Sequence, residues 1–384
     1  VNGSLEVYWN TTKDLLMAVP VDNTTGYSYQ FQNFGKTSNR GIELSVNVDV
    51  INKGDFRFNV GAIYNYNRNK LDELPNADQY LYSSYWGSSS LVPTNDYMFV
   101  EGKAIGLVRG FISEGYYTVD DFNYTNGQYV LKEGVPDITK ALTATYMHPY
   151  DLPAGQTAFP GAAKFRDVDE SGTVDLDDAT CLGEVMPRHT GSFQLNFNYK
   201  NFDLSTNFNW TAGGKVYNVA AMINASGQEF DGIGAQRASW VADAFKVYNV
   251  NAAGDLYAVT NPDELRALNA NAKYHLPYHQ SGITSSEWLE NGSYLRLQTL
   301  TLGYTLPKNW LTKVHVDKIR LYLTATNLFT ITGYSGIDPE VNANPTGQSG
   351  FYSDLRIFPT LNMDFGTYPR ARTVSYTHLR AHET

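Results

Sequence analysis

The chain has 384 residues, of which 42% are hydrophobic and 14% aromatic, and its formal net charge is −10. This charge argues against a nucleic-acid partner, because phosphate binding needs clustered lysine and arginine. Its one cysteine, Cys181, excludes an intrachain disulfide, and no apolar run reaches the roughly 18 residues of a membrane-spanning helix. The 28 tyrosines and 19 phenylalanines instead favour β-sheet or an aromatic girdle at a membrane interface.

The first predicted hairpin covers residues 42–67, where apolar and polar side chains alternate with a period of two. Such alternation places successive side chains on opposite faces of a sheet. Lys53-Gly54-Asp55 separates the two runs and predicts a tight turn. The apolar side chains all stand at even positions: Ile42, Leu44, Val46, Val48, Val50, Phe56, Phe58, Val60, Ala62, Tyr64 and Tyr66.

Two more pairs of alternating runs follow, at 193–199 with 202–210 and at 293–306 with 317–328. Each run has about ten residues, the length with which a tilted strand crosses a bilayer. The polar stripe consists mainly of Asn, Ser, Thr and Gln, which suits a water-filled lumen. The outward face of a soluble β-sandwich, the competing fold, tends to carry Lys and Glu and has shorter strands.

Long segments separate these hairpins, at 72–100, 112–189 and 212–290, whereas the turns within hairpins are very short. This asymmetry is typical of a transmembrane antiparallel β-barrel, which has brief periplasmic turns and long outer loops. Within the loops we expect short helices at 235–247 and 261–272. Asn261 is the predicted N-cap of the second, with Pro262 in its first turn and Glu264 completing a capping box.

Several separated blocks of the sequence resemble the C-terminal barrel of SusC/RagA-type TonB-dependent outer-membrane transporters. The resemblance extends over residues 1–375, and the blocks follow one another in the order expected for that family. The matching blocks are 39–44 (NRGIEL), 101–106 (EGKAIG), 187–193 (PRHTGSF), 288–311 (WLENGSYLRLQTLTLGYTLPKNWL), 318–340 (KIRLYLTATNLFTITGYSGIDPE) and 368–375 (YPRARTVS).

The resemblance implies an all-β fold, a plugged barrel of about 22 strands in the outer membrane of a Gram-negative cell. It further implies import of oligosaccharides or peptides, driven by TonB, with a SusD-like lipoprotein as a lid. The family's signal peptide, N-terminal domain, TonB box and plug precede the barrel, so we expect residues 1–375 to be the C-terminal portion of a longer protein. Residues 376–384 are polar and unpatterned where the family continues a strand, and we expect them to be a non-native tail.

The segment 160–183 contains a predicted calcium loop, which starts at Asp167. Oxygen ligands fall at positions 1, 3, 5, 7, 9 and 12 of EF-hand spacing, and Gly172 stands at the sharp turn of position 6. Position 12 is Asp rather than Glu, and the flanks do not predict paired helices, so we expect a lone structural Ca²⁺ loop. A solvated acidic loop without metal is the alternative. The predicted ligands are Asp167, Asp169, Ser171, Thr173 through its backbone carbonyl, Asp175 and Asp178.

Aromatic side chains in the predicted outer loops are candidates for stacking on sugar rings: Tyr80, Tyr82, Tyr85, Trp86 and Trp240. Tyr85 and Trp86 are the first candidates for substrate binding, and packing against the partner lipoprotein is the alternative role. Motifs of the nucleophile elbow, the zinc protease helix and the phosphate-binding loop are lacking, so we expect no enzyme. The competing function is that of a secreted, calcium-binding protein that binds or cleaves glycans.

Overall fold

The computed structural model describes residues 1–20, 24, 26, 29–33, 35–74, 79–84, 91–143, 148–226, 238–277, 282–312, 316, 318–341 and 361–377. None of the helices in these ranges combines the length and the apolarity that crossing a membrane requires.

Eight strands form one sheet, in which spatial order follows chain order and every neighbouring pair is antiparallel. All three predicted hairpins are present in it. The first is longer than predicted, because both of its strands have 18 residues and continue beyond the apolar run. The strands are β1 (Asn2–Lys13), β2 (Lys36–Lys53), β3 (Phe56–Glu73), β4 (His189–Tyr199), β5 (Phe202–Ala212), β6 (Tyr294–Thr305), β7 (Arg320–Thr332) and β8 (Thr373–Thr377).

Two tight turns close hairpins at one end of the sheet. Gly54 adopts a φ of 59° between β2 and β3, and Lys200 adopts a φ of 52° between β4 and β5. These left-handed conformations match the strand twist in two-residue turns. The opposite end carries the long connections, which confirms the asymmetry between turns and loops.

One face of the sheet is apolar and exposed along its length. Val7 on β1 is 71% exposed and Ile331 on β7 is 63% exposed, as is expected of side chains that contact lipid rather than protein. Aromatic pairs flank this face. Phe56 with Tyr199 stands at the end of the tight turns, and Tyr64 with Trp210 stands eight residues further along. Eight residues of strand span about 27 Å, which is about 20 Å along the membrane normal at a strand tilt of about 40° and somewhat less than the roughly 25 Å height of the apolar band in outer-membrane barrels.

The other face carries a ladder of polar side chains that crosses from strand to strand. The Asn59 amide donates to Asn47 Oδ1 (2.7 Å) and Asp49 Oδ1 (2.9 Å). Further along the sheet, Ser205 Oγ donates to Asn196 Oδ1 at 2.6 Å. The predicted division into an apolar and an amide-rich stripe is therefore confirmed.

The protein core lies in the long connections, not in the sheet. Two hydrophobic clusters combine residues from the segment between β3 and β4 with residues from the segment between β5 and β6; Phe111, Phe159 and Phe245 belong to one, and Tyr97, Tyr217 and Trp288 to the other. We call these two connections the loop body. Its short strands are Gln79–Tyr82, Tyr97–Val100, Leu107–Gly110, Ser113–Tyr116, Phe122–Thr125, Gln128–Leu131, Asp137–Ile138, Ala163–Phe165, Thr173–Val174, Thr180–Glu184, Lys215–Asn218, Tyr248–Val250, Leu256–Ala258 and Leu289–Asn291.

Short helices occur in the loop body near the predicted positions, at Ala238–Asp243 and Pro262–Leu268. Asn261 caps the second helix by accepting from the backbone N–H groups of Asp263 and Glu264. The Glu264 carboxylate does not close the predicted capping box, because it accepts a hydrogen bond from the Tyr257 hydroxyl. Among the described residues, the remaining short elements are the strands Leu16–Pro20, Tyr29–Asn33 and Met363–Asp364, the helices Lys140–Thr143, Val219–Ser226 and Lys308–Leu311, and the 3₁₀ turns Val119–Asp121, Leu176–Asp178 and Ser286–Trp288.

The last strand, β8, reaches Thr377 and pairs with β7, with Tyr376 opposite Leu323. It therefore includes two residues of the predicted tail 376–384. Residues 378–384 lie outside the described residues.

Candidate functional site

The predicted calcium loop lies in the loop body, after the strand Ala163–Phe165 and before the strand Thr180–Glu184. Carboxylate oxygens of Asp167, Asp169 and Asp178 lie within 4.8 Å of one another. Half of the predicted ligand set is thus brought together by this fold.

The turn that places these carboxylates depends on left-handed backbone at Glu170 (φ 59°) and Gly172 (φ 88°). This conformation favours glycine, as expected for position 6 of the loop. The Ser171 N–H donates to Asp167 Oδ1 (3.1 Å) and Asp169 Oδ1 (3.0 Å), and the Gly172 N–H donates to Asp167 Oδ2 (2.8 Å). These backbone bonds hold two carboxylates towards the inside of the turn, and the bond from Ser171 lowers the pKa of Asp169.

Asp178 is fully buried, although it is a carboxylate. Its Oδ1 accepts from the Val168 N–H at 2.5 Å, and its Oδ2 accepts from the Asp175 N–H at 2.8 Å. In the part of the chain that the structure describes, no lysine, arginine or histidine forms an ion pair with it. A buried carboxylate of this kind normally needs hydrogen bonds and a cation.

The other three predicted ligands, Ser171, Thr173 and Asp175, are engaged within the loop. Ser171 Oγ donates to the Thr173 carbonyl at 3.0 Å, and Asp175 Oδ1 accepts from the Asp177 N–H at 2.8 Å. An all-oxygen donor set with three converging carboxylates has the chemistry that Ca²⁺ prefers. Val174 is fully buried and pairs in parallel with Ile138, so the loop is anchored to the core at position 8.

The structure describes three of the five candidate loop aromatics, Tyr80, Tyr82 and Trp240. Tyr85 and Trp86, the predicted substrate contacts, lie outside the described residues. Tyr82 is buried, with its ring 5.5 Å from that of Tyr97 and 4.8 Å from that of Phe99. It is a core residue, which the sequence pattern alone does not reveal.

Trp240 lies at a pocket that the sequence did not predict. Its ring stacks on Tyr274 at 3.8 Å and contacts Trp288 at 5.2 Å. Together with Glu287 and Glu290 these rings line a cavity of about 200 Å³. Burial raises the pKa of Glu287 to about 7, and within the described ranges the buried Trp240 Nε1 has no hydrogen-bond partner. Flat apolar surface beside a free donor and carboxylate acceptors suits a small polar ligand.

The polar face of the sheet also carries ion pairs that the sequence pattern does not predict. Arg296 on β6 is 2% exposed and donates to Asp338, Glu340 (2.9 Å) and Thr330 Oγ1 (3.1 Å). Arg320 on β7 bridges to Asp203 on β5 across Gly303. The partners are 42, 44 and 117 residues apart in the sequence, so no local spacing signals them.

An antiparallel meander with an exposed apolar face, aromatic borders and a polar opposite face defines a segment of a transmembrane outer-membrane β-barrel. No family model matches the chain. It is 29% identical over 371 residues to TonB-dependent receptor P3 of Formosa agariphila, covering 96% of this chain and 31% of that protein. It is 25% identical over 359 residues to TonB-dependent receptor SusC of Bacteroides thetaiotaomicron, covering 90% of this chain and 29% of SusC.

Among solved structures, the chain is similar to a chain of the RagAB peptide transporter. The TM-score is 0.61 at 21% identity, with 97% of this chain and 32% of that chain covered. The chain thus spans about a third of the length of the curated relatives it matches. The resemblance to SusC/RagA-type TonB-dependent transporters is confirmed, as are the barrel fold and the place in the outer membrane of a Gram-negative cell.

Proposed function

We propose that the chain forms barrel wall in a TonB-dependent transporter that imports oligosaccharides or peptides together with a SusD-like surface lipoprotein. TonB would act on a part of the protein outside this chain. The supporting observation is the polar ladder, which runs across the inner face while the outer face stays apolar. Neutral amide and hydroxyl groups offer a passing ligand hydrogen bonds that water can replace at little net cost.

The proposal is tested in cells that carry the full-length protein, its deletion, or the deletion with the gene restored. Each strain is supplied with a defined mixture of oligosaccharides and peptides, and depletion of each compound from the medium is measured by mass spectrometry. We expect the deletion to stop depletion of one compound class and the restored gene to recover it. Equal depletion of every compound by all three strains would contradict transport.

The competing function, a secreted protein that binds or cleaves glycans, is distinguished by the behaviour of the isolated protein. A barrel needs detergent for solubility and migrates faster on gels before heating than after it. A soluble monomer that converts sugars without detergent would support the competing function.

We also propose that Asp167, Asp169, Ser171, Thr173, Asp175 and Asp178 bind one Ca²⁺ ion, which stiffens this part of the loop body. Three converging carboxylates and the burial of Asp178 without an ion-pair partner among the described residues support the assignment. The bound cation would offset the mutual repulsion of the carboxylates.

Tyr85 and Trp86 remain our proposed substrate contacts, through stacking on sugar rings. Alanine variants of both should weaken uptake at low substrate concentration more than at saturation, because the loss is one of binding. Unchanged uptake at all concentrations would contradict this role.

A further inference from the structure

Two arginines lie directly opposite each other near one end of the first hairpin. Arg40 on β2 is paired in register with Arg68 on β3, and both are exposed. Directly opposite residues of antiparallel strands point to the same face with Cβ atoms about 5 Å apart, and like charges at that position are destabilising. Lys70 follows on the same face, but it pairs with Asp72 at 3.2 Å. We call Arg40 and Arg68 the basic pair.

The basic pair has no acidic partner among the residues that the structure describes. The ion pairs nearest to it in the sequence join Lys36 to Glu73 and Lys70 to Asp72. Arg40 contacts an aromatic ring instead, because its guanidinium lies 3.9 Å from the ring centroid of Trp9. Two uncompensated cations side by side are unexpected on a chain whose net charge is −10.

The register places the basic pair on the lipid-facing side of the sheet. Arg40 shares its face with Ile42 and Leu44, and Arg68 shares its face with Tyr64 and Tyr66, because alternate residues of a strand point the same way. This is the face whose apolar side chains are exposed along the sheet. The polar ladder of Asn47 and Asn59 lies on the opposite face.

The height of the basic pair is set by the aromatic border just below it. Tyr66 contacts His189 at 5.1 Å, and Tyr64 stacks on Trp210 at 6.1 Å. Rings of this kind mark the level at which hydrocarbon gives way to headgroups. The long connections leave from this end of the sheet, so it is the outer end. Arg68 lies one alternation beyond Tyr66, at headgroup level.

We propose that Arg40 and Arg68 together bind a phosphate group of a glycolipid in the outer leaflet. Each guanidinium presents parallel N–H donors that match phosphate oxygens, and such charge-assisted bonds are among the strongest in proteins. A single phosphate between the two side chains would offset their repulsion. Trp9 would hold Arg40 in place and cover the sugar or upper acyl region beside it. This site is independent of the substrate and of the calcium loop.

The test uses the full-length protein purified in detergent, with lipid A as the probe and lipid A without its phosphates as the comparator. Native mass spectrometry measures how much of each remains bound. The double variant Arg40→Gln with Arg68→Gln should bind phosphorylated lipid A at least about tenfold more weakly, because it loses charge-assisted bonds from both guanidiniums. The dephosphorylated probe should bind both proteins equally weakly.

A charge-matched control changes two basic residues at the other end of the same hairpin. Lys53→Gln with Arg57→Gln removes the same charge from exposed positions at the tight-turn end and should leave binding unchanged. Heat-dependent gel mobility verifies that every variant is folded. Arg40→Lys with Arg68→Lys keeps the charge without the planar fork and should bind at an intermediate level.

Equal binding of phosphorylated lipid A by the wild type and the double glutamine variant overturns the proposal. So does equal loss in the charge-matched control, which would indicate a general charge effect. A changed oligomeric state of the double glutamine variant with unchanged lipid binding would mean that the basic pair contacts protein, and it too overturns the proposal.

Discussion

The sheet and the loop body use the same kinds of side chain in opposite ways. In the sheet, apolar residues such as Leu5 (67% exposed) cover the outside, and polar residues line the inside. In the loop body, tyrosine and phenylalanine form a dry core in which Tyr97 and Phe111 are fully buried. The difference follows from the surroundings, because exposing an apolar side chain to lipid costs little free energy, whereas exposing it to water is unfavourable. Hydrophobicity alone therefore does not identify the core of this protein.

The largest effect is expected when a substitution removes the contact between the sheet and the segment after β7. Arg296→Ala leaves Asp338 and Glu340 without their buried partner, which costs about 3–5 kcal/mol of unfolding free energy. Urea unfolding of the folded protein in detergent measures this. Arg166→Ala, which removes an exposed pair with Glu114, is the control and should shift the midpoint little. Similar shifts for both variants would contradict a structural role for the Arg296 cluster.

The stability of the loop body is expected to depend on pH through one buried carboxyl group. Asp96 is fully buried, and burial raises its pKa to about 7 despite two hydrogen bonds from Ser84. Because the folded pKa exceeds the unfolded value of about 3.9, its contribution to stability is fully present below about pH 4 and is lost as the pH rises through 7. The loss reaches at most about 4 kcal/mol, at 1.36 kcal/mol for each pKa unit.

Asp96→Asn should remove this part of the pH dependence of thermal unfolding, followed by tryptophan fluorescence between pH 4 and 8. Glu133→Gln, at an exposed position, is the control and should keep the wild-type profile. Parallel profiles for wild type and Asp96→Asn would show that the buried carboxyl does not titrate in this range.

Matched substitutions on adjacent residues of β2 test whether the two faces of the sheet have different surroundings. Val48→Arg, opposite Val60 and midway between the two aromatic borders, places a charge in lipid and should cost about 2–4 kcal/mol near the bilayer midplane. Asn47→Arg places the same side chain on the wet face and should cost much less. Unfolding from lipid bilayers in denaturant measures both. Equal costs would contradict the assignment of faces.

The smallest expected effect concerns the calcium loop. Saturating Ca²⁺ should stabilise the loop body by about 1–3 kcal/mol, for ion concentrations of roughly ten to a hundred times Kd. Asp169→Asn should weaken binding in calorimetry and reduce hydrogen-exchange protection of residues 166–180. Glu170→Gln changes an adjacent acid that is not a predicted ligand and should bind normally. Absence of any calcium-dependent shift in the wild type would favour the solvated acidic loop.

Local patterns in the sequence determined much of this protein. Period-two alternation set the two faces of the hairpins, Lys53-Gly54-Asp55 predicted a turn, and Asn261 predicted a helix cap. The spacing from Asp167 to Asp178 predicted a loop of four carboxylate ligands, of which Asp167, Asp169 and Asp178 converge and Asp175 does not. Each of these features depends on residues within about a dozen positions, where backbone geometry fixes the relation between side chains.

Only the tertiary structure decided the long-range pairings. It placed Tyr82 in a core, joined Trp240 to Glu287 in one pocket and paired Arg296 with Asp338. It also set the register that puts Arg40 opposite Arg68. These contacts join strands and loops distant in sequence, and register depends on how whole strands pair, so no local pattern encodes them.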